Sequence, residues 1–344
     1  MLLPSGTNIP SEFGRGLSIE PTARSAPRVA SLDLMAELPR FIPSGGATVE
    51  ISSRTVQGRY LLRPGRRLNR IAAGVLGRSQ RIYGVQIHDF RILSNHFHLL
   101  LSVETAQQLA SFMNYFKSNL AREAGRLHHW TGPFWNRRYD LVLVWNDEID
   151  QISRLRYLLR NGCKEGLVAS PLGWPGLHGT NTLVSGQLIR GVWINRTRWH
   201  RAPLAERKHP ERFEEIETVV LSPLPCWRHL SPTLYRLRVA QLIREIELET
   251  ALMHRQNGTR PAGRRRICRL RPHHKPAELE RSPKPRFHCR SKAAREALYA
   301  ALSDFCRAYR AAAERLKAGE LDVCFPEGAF PPPAPFRQPI RGPA

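Results

Sequence analysis

The sequence predicts an α+β protein: a ferredoxin-like (split βαβ) antiparallel sheet with helices on one face, followed by a mainly helical, basic C-terminal extension. Three observations carry that expectation. Between residues 46 and 180, apolar residues recur alternately at strand and helix periods, in the order β-α-β-β-α-β-α. Beyond residue 180 two long helical stripes stand out in a strongly basic background. Hydrophobic residues make up 42% of the 344 positions, enough to bury a core.

Residues 1–45 are rich in Ser, Pro and Gly without sustained periodicity and read as a flexible extension. Met35 lies near its end and offers an alternative start. Residues 48–62, rich in Val, Ile, Thr and Tyr, read as the first strand. A helix opens at Pro64, with Leu68, Ile71, Ala72, Val75 and Leu76 on one face and Gly77 as its expected stop. Residues 81–103 read as two strands around a bend near 89–94. Thr105 is a good N-cap for a second helix with Leu109, Phe112, Met113, Phe116 and Leu120 on one face. Gly132 and Pro133 separate it from a strand over 138–145. The module closes with a helix over 146–161, stopped by Gly162 at the C′ position. Residues 46–180 are therefore expected to form one domain, and residues 181–344 a basic helical and Pro-rich region. Its helices are expected from Ser231-Pro232 and from Ser291 to about Lys317.

The formal net charge is +24, from 53 Lys and Arg against 29 Asp and Glu. Such an excess implies an anionic partner, and no basic amphipathic anchor accompanies it, so nucleic acid ranks ahead of a membrane surface. The longest apolar runs are strand-sized, too short to span a bilayer, and no secretory signal pattern opens the sequence. The six cysteines have no CxxC spacing and read as reduced thiols. Residues 255–295 hold 14 basic and two acidic residues, half of the whole net charge. In that stretch Arg264, Arg265, Arg266, Arg269 and Arg271 are candidate phosphate contacts, with a disordered basic linker as the competing reading.

Two local patterns point to chemistry. His96 and His98 flank Phe97 in an expected strand, so both imidazoles project from one face, a spacing that suits two ligands of one divalent metal. On the last helix Ile149, Ile152, Leu155 and Leu159 mark the buried side, which leaves Tyr157 and Asn161 together on another. A phenol there suits a nucleophile, and the amide one turn on suits a metal oxygen ligand. Tyr139 is the competing nucleophile. Arg137 and Arg138 beside it suit phosphate contact, Trp135 suits the core better than base stacking, and Asn114, Lys117 and Arg122 suit a DNA path or a solvated face.

The segments SRTVQGRYLLRP, LSNHFHLLL, GPFWNRRYD and YLLRNGCKEGLVASPLGWP, in this order across residues 48–175, resemble the HUH single-tyrosine transposases, in particular their REP-associated tyrosine transposase branch. The resemblance implies a metal-dependent enzyme that nicks and rejoins single-stranded or hairpin DNA through a 5′-phosphotyrosine. It assigns Tyr157 as nucleophile and His96, His98 and Asn161 as ligands of Mg²⁺ or Mn²⁺. It implies a cytoplasmic, nucleoid-associated setting with no membrane partner, and leaves open whether the site forms within one chain or across a homodimer. Two positions depart from the family pattern: Asn161 stands where better-known relatives carry Gln, and Gly162 stands where the branch usually has Pro. A catalytically inactive descendant that binds structured DNA is the alternative. An RNA-binding protein with RRM-like topology is a third reading, weakened by the absence of the RNP aromatic motif.

Overall fold

A computed structural model describes residues 41–277 and 285–330. Residues 1–40 of the expected extension over 1–45, Met35 among them, lie outside the described residues, as do part of the basic stretch and the Pro-rich end from 331. The last five residues of that expected extension belong to the fold instead, since Ile42 is buried in the larger core and Phe41 packs on Phe305. The elements run β1 Ala47–Arg54, α1 Arg66–Tyr83, β2 Gln86–Ile92, β3 His96–Val103, α2 Ala106–His128, β4 Asp140–Val144 and α3 Glu148–Arg160. Then follow α4 Thr180–Ser185, β5 Ile189–Ile194, α5 Arg196–Arg201, α6 Leu204–Arg207, β6 Glu214–Val219, α7 Pro232–Gln256, α8 Gly263–Cys268, β7 Phe287–His288 and α9 Lys292–Lys317.

Among the described residues the main sheet has the order β2-β3-β1-β4-β7. The first four strands are mutually antiparallel, as the split βαβ pattern requires; β7 joins the outer edge of β4 in parallel. Alternation along each strand separates two faces. Val49, Ile51, Phe97, Leu99 and Leu101 turn to one side and form the larger core with Leu68, Ile71 and Val75 of α1 and Phe112, Phe116 and Leu120 of α2. In β2 the register shifts between Ile87 and Asp89, and this bulge lets Ile87, Phe90 and Ile92 all reach that core although their spacing breaks strict alternation. His88, in the bulge, is fixed by Ser222 O at 3.0 Å and Ser102 Oγ at 2.8 Å.

The two helices of the split βαβ unit thus share one face, while α3 covers the other, where Leu155, Leu158 and Leu159 meet Leu100, Val144 and the α7 residues Val239, Ile243 and Ile246. Ile149, expected on the buried side of α3, is exposed, and Leu158 takes that role. On α7, Ile243 and Thr250 are buried.

Gly77 does not stop α1, which continues to Tyr83 and ends on Gly84 in the left-handed region. The reason is a second, two-stranded sheet, β5-β6, that lies against α1. A Cβ on Gly74 would stand 2.1 Å from the Val192 carbonyl carbon, and one on Gly77 2.8 Å from Thr218 O. Ion pairs of Arg67 with Glu214 and of Arg78 and Arg81 with Glu217 hold the same contact at its rim.

Gly74→Ala gains about 1 kcal/mol of helix propensity but drives a methyl into backbone that has no rotamer to yield; a net loss of about 2 kcal/mol or more is expected in urea unfolding. Burial holds His88 down at about 4, with an opposing upward pull from its bond to Ser222 O. Below about pH 6.5 the unfolded chain therefore binds a proton that the fold refuses, and stability falls as pH drops toward 4. His88→Gln should remove on the order of 3 kcal/mol of that acid sensitivity; equal slopes of urea midpoint against pH in both proteins would refute the assignment.

Candidate functional site

The face of the sheet under α3 is polar at this end because four strands place polar side chains there. In register across it lie Arg91, His98, Ser52 and Asp140, with Arg54 opposite His96 in the next row. Phe97 turns the other way and packs edge-on against Phe116 and Trp135, which pins the strand between the two histidines. The imidazoles stand side by side, centroids 5.1 Å apart. Each ring is oriented through Nδ1: His98 to Glu50 Oε1 at 2.8 Å, and His96 to Asn95 Oδ1 at 2.7 Å.

Helix α3 brings Tyr157 over this pair. Asp147 caps its first turn by accepting from Asp150 N, and the acidic Glu148 and Asp150 suit the positive end of the helix. The Tyr157 ring is half-buried, edge-on to His98 at 5.8 Å. Two cations flank it, Arg154 at 5.1 Å and Lys164 at 4.0 Å from its centroid. Arg154 also pairs with the second oxygen of Glu50 at 2.9 Å, so one buried carboxylate links the helix to His98.

Asn161 is the C-cap residue of α3 and 1% exposed. Its Nδ2 donates to Tyr157 O at 3.1 Å, and its Oδ1 is buried without a hydrogen-bond partner. The peptide turns there because Gly162 takes φ +93°, a region closed to proline and unfavourable for other residues. Arg91, fully buried, donates to Asn161 O at 2.7 Å, Pro171 O at 3.2 Å and Thr180 Oγ1 at 2.8 Å. Trp174 lies over Gly162 and donates to Ile92 O at 2.9 Å. The GLVASPLGWP segment is thereby the wrap that binds the end of α3 to β2.

Among the described residues no group of three or more His, Cys, Asp or Glu side chains is placed to hold a metal. The donor set here is two imidazoles and an amide: His96 and His98, each held by a second group as metal-binding histidines are, and the orphaned buried Oδ1 of Asn161. That set fits a divalent cation, with two ring nitrogens and one oxygen.

The other expected residues lie apart from this centre. Tyr139 packs at the edge of the larger core beside Lys117, on the α2 side of the sheet. Trp135 is partly buried at the margin of the larger core, in T-shaped contact with Phe97 and Phe134, and lines the surface beside α2. Arg137 pairs with Asp140, and Arg138 is exposed. Arg264, Arg265, Arg266 and Arg269 are exposed on and just after α8. This basic segment is anchored: Ile267 is buried, Ala262 and Gly263 donate to Gly166 O and Leu167 O, and Arg63 holds Cys268 O. Glu50, Arg54, Arg91, Arg154 and Lys164 were missed in the motif reading. For Glu50 and Arg54 a signal existed, since Thr48, Glu50, Ser52 and Arg54 alternate with Val49, Ile51 and Ser53. All six cysteines are free thiols, and no helix of the described residues is long and apolar enough to cross a membrane.

Residues 66–158 match the family described as Transposase IS200 like, a span that holds His96, His98 and Tyr157. Over this span, about a quarter of the chain, the protein is similar to that family. Solved structures similar to the chain include two transposases. One is a REP-associated tyrosine transposase bound to a REP hairpin, 18% identical, covering 44% of this chain and 86% of that one, with a TM-score of 0.38. The other is a candidate transposase from Deinococcus radiodurans R1, 18% identical, covering 32% of this chain and 88% of that one, with a TM-score of 0.25. No curated protein matches the chain.

Glu50→Gln keeps the shape of the joint but leaves the largely buried Arg154 guanidinium without its counter-charge. A loss of about 3 kcal/mol is expected by chemical denaturation; a loss below about 1 kcal/mol would show that the carboxylate does not tie α3 to the sheet.

Proposed function

We propose that this chain is a DNA strand-transfer enzyme, a transposase or related endonuclease, that nicks and rejoins single-stranded or hairpin DNA with Tyr157 as the nucleophile. The observation that carries the reading is the placement of Tyr157 edge-on to His98, between the cations Arg154 and Lys164. Tyr157 packs at the margin of the α3 core, yet its ring meets two cations on the polar sheet face, and a nucleophile for a phosphodiester needs cations to draw the phosphate to it.

In the proposed reaction the Tyr157 Oη–phosphorus bond forms as the bond from phosphorus to the 3′ oxygen breaks. The phenol gives up its proton and the leaving 3′ oxygen gains one. The 5′ phosphate stays on the tyrosine as a diester, so a 3′ hydroxyl can reverse the step without an external energy source. Lys164 and Arg154 bind and orient the phosphate, and Glu50 holds His98 in one ring orientation. His96, His98 and Asn161 would hold Mg²⁺ or Mn²⁺, which supplies polarisation of the scissile phosphate when bound. With two imidazoles among the donors, Mn²⁺ should serve at least as well as Mg²⁺. Arg137, Arg138, Lys117 and the exposed arginines of α8 add contacts to the DNA backbone, and their effect should be salt-dependent and indifferent to sequence.

The test is a 3′-labelled hairpin-bearing single strand incubated with the protein and Mn²⁺, followed by denaturing electrophoresis. A labelled, SDS-resistant adduct is expected from the parent chain and none from Tyr157→Phe; His96→Ala and His98→Ala should each lose metal-stimulated cleavage by at least about 100-fold. An adduct that persists in Tyr157→Phe would overturn the nucleophile. DNA binding with no adduct on a broad substrate set would instead favour the inactive descendant.

A further inference from the structure

Two adjoining cavities run along α2 on the far side of the sheet from Tyr157. The larger, about 780 Å³, is lined by Arg122, Arg126, His129, Trp130, Phe134 and Trp135 among others. The smaller, about 330 Å³, is lined by Asn114, Lys117, Arg138 and Tyr139, and both share Ser118 and Trp135. They therefore form one groove. Among the described residues no acidic side chain lines it. Glu123, the carboxylate on the same helix, is buried and occupied by Arg126 and Arg196.

The aromatic groups in this groove are held rigidly. Trp130 donates its indole N–H to Pro133 O and Trp135 to Lys117 O, both at 3.1 Å. With those donors spent, what the rings offer a ligand is their π surface. Lys117 stands 5.2 Å from the Trp135 ring centroid, and Arg59 5.2 Å from that of Trp130. Fixed aromatic planes interleaved with cations suit one chemical class, a polyanion whose flat bases are free to stack. A duplex has its bases already stacked inside and cannot use the rings.

One short stretch of chain joins the groove to the candidate site. Arg54 pairs with His96 across the strands, and the next residue, Thr55, bridges to Trp135. At the other end His273 lies edge-on to Trp130, while its carbonyl accepts from Arg59, so the anchored basic segment after α8 borders the groove.

We propose that the α2 groove is a second binding segment, which holds the unpaired flank of a polynucleotide by stacking on Trp130 and Trp135 and by phosphate contacts to Arg122, Lys117 and Arg138. It extends the reading of Tyr157 as a strand-transfer centre but is tested without cleavage. The probes are fluorescent oligothymidylate and oligouridylate of about 12 nucleotides and a blunt duplex of the same length, titrated by anisotropy into the full chain. Unpaired probes should bind at least about tenfold tighter than the duplex, and Trp130→Leu should lower that affinity about tenfold while Trp130→Phe retains it. Arg122→Ala, distant from the core, should weaken binding and reduce its salt slope by about one. The two unpaired probes show which sugar the groove accepts, and tight binding of either upholds it. Equal affinity for duplex and single strand, or a Trp130→Leu protein that binds like the parent, would overturn it. A chain that forms no phosphotyrosine yet passes these tests keeps the groove and loses only the catalytic reading.

Discussion

Glu50 is 5% exposed and stands between the His98 imidazole and the Arg154 guanidinium. A carboxylate so placed is stable only while both neighbours stay, because an uncompensated charge in that position carries a heavy desolvation penalty. The constraint works in both directions. It holds the imidazole in one orientation, and it holds α3, through Arg154, at a fixed height over the sheet. The position of Tyr157 one turn of α3 beyond Arg154 follows from that joint.

A polar sheet face needs cover if its buried groups are to be paired, and the chain supplies it from several distant segments. Arg91 takes the carbonyls at the end of α3 and in the wrap after it, so the helix is bonded at its far end as well as beside Glu50. Helix α7 closes the apolar half of the same layer, and β7 adds a fifth strand beside β4. The β5-β6 sheet covers the remaining side of α1, which is why α1 carries glycines where a one-sided helix would carry alanines. The residues after 180 therefore contribute to both the sheet and the layers that bury it, besides carrying half of the net charge in one stretch.

Much of the core of the fold was legible because its code is periodic. Strand alternation placed His96 and His98 on one face and Phe97 on the other, and the capping residues Thr105, Ser231 and Ser291 each accept from the backbone N–H three residues on, as local chemistry predicts. Errors arose where a local signal had a second meaning. Gly77 reads as a stop by propensity, yet in the fold it is a point of close approach. Ile149 fits the apolar stripe of α3 but falls in the first turn, where Asp150 and Gln151 take the buried side and Ile149 stays exposed.

By itself the sequence singled out the side chains proposed to carry the chemistry, since the types and spacing of His96, His98, Tyr157 and Asn161 are written in short segments. Its charge excess pointed to an anionic partner. The tertiary structure alone decided that α3 lies on the face opposite α1 and α2, that Glu50 joins His98 to Arg154, that Arg91 holds the end of the helix, and that Trp130 and Trp135 share a groove with the arginines of α2. The physical reason is that periodicity reports how a segment divides its own surface between core and water. Which distant charge answers a given carboxylate, or which rings come to border one cavity, depends on packing between segments that no local pattern encodes.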